Sequence, residues 1–86
     1  MTKTSMTDFQ LIPGVGENME QHLLNLGYRQ INDLKGEDPE LMYQRDQKLH
    51  GGVLDRCVLY VYRLAVYYAD NETHDPEKLK WWNWQD

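Results

Sequence analysis

The sequence is poor in several things, and each shortage excludes something. It has one cysteine, Cys57, so no disulfide can form within the chain, and a reducing cytoplasm is the expected setting. It has no long hydrophobic run. The longest, "CVLYVYRLAVYYA", carries Arg63 inside it and falls short of the roughly 20 residues a bilayer span needs, so it reads as a core helix. The first ten residues, "MTKTSMTDFQ", have no apolar stretch and do not read as a signal peptide. Basic residues are also scarce. Nine Lys and Arg face fourteen Asp and Glu, and the net charge of −5 opposes long-range attraction to nucleic acid. No phosphate-loop, Ser-His-Asp or zinc-finger pattern is present. The three histidines, His22, His50 and His74, share no ligand spacing, so neither a metal site nor an enzyme is expected.

What remains is a chain of 86 residues, one domain in size. A chain this short buries roughly 60–65% of its extended surface, which favours helices with short connections. Residues 1–6 are polar and expected to be loose. Thr7 can cap a short helix through Ile12, and Pro13 stops it. "PGVG" then turns the chain, with Gly14 and Gly16 supplying backbone freedom; Gly16 in particular is expected to sit at positive φ. From Glu17, Met19, Leu23 and Leu26 recur at helical spacing until Gly27. Ile31 and Leu34 fit one further turn. Asp38-Pro39 is an N-cap followed by proline in the first helical position, and Asp75-Pro76 repeats the device. Between them run a helix to about Leu49, a Gly51-Gly52 break and a long helix from about Val53 to Ala69. The expected architecture is an all-α domain of four or five helices. It comprises a helix-hairpin-helix at 8–27, a second helix pair at 38–70 and an aromatic tail at 75–86.

The long helix is apolar on two sides. Leu54, Cys57, Val58, Val61, Ala65 and Tyr68 form one face, which makes Cys57 a core residue; Leu59, Tyr62 and Val66 form another. The second face needs a cover. The tail with Trp81, Trp82 and Trp84 is the expected one, and a second copy or a partner docking there is the alternative. Arg56, Tyr60, Arg63 and Tyr67 make a stripe of their own on the same helix, with Lys48 and His50 just before it. Basic residues interleaved with aromatics can hold single-stranded nucleic acid. They can equally be the polar edge of a buried helix, paired with carboxylates.

"IPGVG", a helix ending in "LGY" and the "INDL" turn resemble a helix-hairpin-helix motif. "DLKGEDPELMY", "DRCVLYVYRLAVYYA" and "KLKWWNW" together resemble the bacterial pathogenicity-locus family, whose members are often labelled helix-hairpin-helix or mitomycin-resistance proteins. The resemblance runs from about Phe9 to Asp86. It implies an all-helical fold related to tandem helix-hairpin-helix and SAM-like domains, with DNA as the partner the hairpin suggests. Backbone N–H groups of Gly14, Val15 and Gly16 would then contact a phosphate, assisted by Lys48, Arg56 and Arg63.

Two positions depart from DNA-binding hairpins. Glu17 stands where a basic residue often follows the second glycine. Glu20 stands where a small residue usually lets the helices pack, so the crossing widens or the side chain escapes to solvent. The sequence therefore reads as a non-enzymatic binding module that touches DNA weakly or serves protein association or self-association through Leu59, Tyr62, Val66 and the three tryptophans. It calls for no cofactor, membrane or small-molecule substrate.

Overall fold

The computed structural model describes residues 7–85. The expectation of a loose segment at 1–6 lies outside them. Among the described residues three α-helices are joined and flanked by four single 3-10 turns: α1 is Glu17–Asn25, α2 Pro39–Leu49 and α3 Arg56–Asp70. The 3-10 turns are Phe9–Leu11, Ile31–Leu34, Pro76–Leu79 and Trp81–Trp84. Among the described residues there is no strand.

Local chemistry sets the helix starts. Asp38 accepts from the Glu40 N–H with Pro39 in the first turn, and Asp75 does the same for Glu77 behind Pro76. The long helix begins at Arg56 rather than Val53. Asp55 caps it by accepting from the Cys57 N–H at 2.9 Å. The preceding residue is held outside the helix, because Tyr43 donates its hydroxyl to the Leu54 carbonyl at 2.7 Å. α1 closes at Gly27, where the Tyr28 N–H returns to the Leu23 carbonyl.

α3 is the axis of the fold. α2, the Ile31–Leu34 turn and the Trp81–Trp84 turn all pack on it. Seven of its fifteen residues are buried, Val58, Leu59, Val61, Tyr62, Leu64, Ala65 and Val66, so nearly every side meets the core. Phe9, Ile12, Val15, Leu23, Leu34 and Met42 complete that core. Each such side chain contributes about 1.5–3 kcal/mol of transfer free energy.

Cys57 is not part of the core. It lies exposed in the first turn of α3, before the packed stretch begins at Val58. Its hydrogen bond with Asp55 pushes the thiol pKa up, which makes it a poor nucleophile.

Glu20 does not escape to solvent. It is buried and accepts from the Thr7 hydroxyl and, at 2.9 Å, from the Gln10 side-chain amide. The carboxylate thereby ties the N-terminal turn to α1.

Candidate functional site

Two places in the fold gather chemistry. The first is the hairpin. Gly14 is its left-handed residue, at φ +88°. Ile12 and Val15 on either side are buried, and the Val15 N–H returns to the Ile12 carbonyl at 3.0 Å. A Cβ at Gly14 would stand 3.5 Å from Trp81 Cδ1 and 3.6 Å from Leu64 Cδ2, so the tail and α3 close over the turn.

Gly16 is different from what its spelling suggests. It has an extended backbone, φ −100° and ψ −165°, with open space where a side chain would go. Positive φ is therefore not its reason for being glycine. It is the N-cap of α1, and no side chain caps the helix there, whereas Asp38 and Asp55 cap α2 and α3. The first turn of α1 begins with exposed Glu17 and Asn18.

The basic residues do not join this turn in one patch. Lys48 lies exposed at the end of α2. Arg56, at the first turn of α3, stacks over the Tyr43 ring at 5.9 Å. Leu64, which meets the hairpin, is two turns farther along α3. Arg63 is held between elements. It pairs with Glu40 of α2 at 2.9 Å, donates to the Trp84 carbonyl at 2.6 Å and lies over the Tyr60 ring.

Leu59, Tyr62 and Val66 are buried within the chain. Tyr62 turns toward α2, where its hydroxyl donates to Asp46. The tail meets α3 through Arg63 and the Tyr67 ring, which lies 5.5 Å from that of Trp84. Trp81 and Trp84 are half-buried, and Trp82 is exposed.

The second place escapes a reading of histidine spacing. Asp46 of α2 is fully buried. Its Oδ2 lies 2.7 Å from His22 Nδ1 of α1 and accepts from Tyr62 of α3. His50, one turn after Asp46, places Nδ1 3.0 Å from the Asp46 carbonyl and 3.1 Å from Oδ1. The carbonyl takes that hydrogen bond, and Oδ1 accepts none. The two imidazoles stack with centroids 5.1 Å apart. Burial and the bond to Asp46 push the Tyr62 pKa far up, so this hydroxyl remains a donor. One signal was present in the sequence: Asp46 and His50 are spaced i, i+4 and share a helix face. His22 arrives only through the packing of α1 on α2. His74 stands apart, stacked on Tyr68.

The described residues form an all-helical fold with an aromatic tail packed on α3. The chain belongs to the pathogenicity-locus family, whose model matches residues 2–86. It is 27% identical over 84 residues to the mitomycin resistance protein McrB of Streptomyces lavendulae, a match that covers 98% of this chain and 76% of that protein. No solved structure matches. No helix among the described residues is long and apolar enough to cross a membrane.

Proposed function

We propose that the chain is a non-enzymatic binding module of helix-hairpin-helix type, in which the hairpin is a structural clasp and the partner is a protein. The packing of Gly14 under Trp81 and Leu64 carries this reading. The left-handed glycine of the turn lies within contact range of an indole, so the tail occupies the space over it. Arg63, the α3 cation that reaches the tail, is engaged by Glu40 and Trp84. Apolar side chains stand exposed on α2 and its turn, at Leu41, Leu49 and Val53, and apolar surface serves protein association. The relative's name ties that protein to mitomycin resistance. For this chain the name fits a role exerted by binding.

One observation favours a second reading. Uncapped α1 leaves amides at Gly16 that can meet a single DNA phosphate. Glu17 and the net charge make such a contact weak. A salt titration of duplex binding, run beside sedimentation of the chain with candidate protein partners, separates the two. Phosphate contact fades steeply between about 50 and 200 mM salt, whereas apolar association persists.

A further inference from the structure

We propose that His22, Asp46 and His50 form a binding site for one borderline divalent cation of the zinc, cobalt or nickel kind. The inference is independent of what the module's surface binds. One nitrogen from each imidazole and one carboxylate oxygen lie within 4.8 Å of one another. A tetrahedral site with bonds of about 2.0–2.2 Å needs its donors about 3.4 Å apart. The Asp46 oxygens are already 2.7 Å and 3.1 Å from His22 Nδ1 and His50 Nδ1. Bringing both nitrogens onto one ion requires the imidazoles, stacked with centroids 5.1 Å apart, to rotate about their side-chain bonds.

A second observation points to a cation. Asp46 Oδ1 is buried and accepts no hydrogen bond, with His50 Nδ1 3.1 Å away. A carboxylate out of water needs compensating charge, and a bound divalent ion supplies it. Tyr62, donating to Oδ2, would act from the outer shell and fix the carboxylate's orientation. The histidine side chains are 19% and 39% exposed, which leaves an entry path and room for water in the remaining position. Two nitrogens and one oxygen suit zinc, cobalt or nickel and not calcium or magnesium, which prefer all-oxygen shells.

The test titrates the untagged full chain with Co²⁺ and follows the visible ligand-field bands, then displaces the cobalt with Zn²⁺. The expected result is saturation at about one ion per chain with the band intensity of a low-coordinate site. His22→Gln and His50→Gln should each weaken binding by about tenfold or more, and His74→Gln should leave it unchanged. Because both cluster imidazoles are partly exposed, these variants are expected to fold, and circular dichroism checks that they do. Absence of saturable uptake by the unmodified chain overturns the proposal. So does affinity within about threefold of the unmodified chain in either single variant, or loss of binding in His74→Gln.

Discussion

At Gly14 the chain turns with φ +88° beneath Trp81 and Leu64. At Gly51 and Gly52 it turns with φ +70° and +92°, and a side chain at either would meet nothing. Both turns join a leading helical segment to a following helix, but their surroundings differ. The first is closed by the C-terminal tail and leads into a helix without a side-chain cap. The second is open, is flanked by exposed Lys48 and Val53, and leads into a helix capped by Asp55. A glycine turn is thus a conformational permission, and what packs on it decides its use.

The largest way to break the comparison is to remove the cover. Deleting residues 80–86 should cost about 3 kcal/mol or more, since losing a buried Trp costs about 3–5 kcal/mol and Trp81 and Trp84 are half-buried. Urea unfolding of the truncated chain measures it. Unchanged stability would mean that the tail merely lies on the first turn.

Next in size is the contrast between Gly14 and Gly16. Gly14→Ala should cost about 1–2 kcal/mol for its left-handed backbone. Gly16→Ser should stabilise by up to about 1 kcal/mol, because an extended residue with free space gains an N-cap hydroxyl. Thermal melts of both variants check opposite signs.

Arg63→Met sharpens the contrast at the tail's other end. Losing the Glu40 pair and the Trp84 carbonyl bond should cost about 1–2 kcal/mol. The same change at Arg56, on the side of the open turn, should cost less. Denaturant midpoints of the two variants give the comparison.

Smallest in the working range is the effect of alkali. Burial, then the bond to Glu37, raises the Tyr28 pKa from 10.0 to about 12. The unfolded chain therefore loses this proton first. The stabilisation is intact below pH 10 and is lost as pH rises to about 12, a slope that Tyr28→Phe should flatten. Unfolding free energy measured from pH 9 to pH 12 tests the sign.

Much of this architecture is legible in the sequence, and the illegible parts have a common cause. Asp38-Pro39 and Asp75-Pro76 mark helical starts because capping is local chemistry. Gly27 marks an end for the same reason. Gly14 and Gly16 look equivalent in "PGVG", yet Gly14 is left-handed beneath Trp81 and Leu64, whereas Gly16 is extended and open. Cys57 fits the apolar periodicity of α3, yet the cap at Asp55 puts it in the exposed first turn. Glu20 reads as a misfit until Thr7 and Gln10 are seen to satisfy it. The site at Asp46 shows the same limit. The i, i+4 pair with His50 is visible, while the third member comes from another helix and the burial from three.

The central claim is that the first hairpin is a clasp closed by its own tail. Its most direct test is a titration of the ¹⁵N-labelled chain with short duplex DNA at physiological salt, following the amides of Gly14, Val15, Gly16 and Glu17. The account predicts no saturable shift of these amides at micromolar DNA, with the indole signal of Trp81 unmoved. Micromolar binding centred on those amides, abolished by a Gly16 substitution in a still-folded chain, would contradict it.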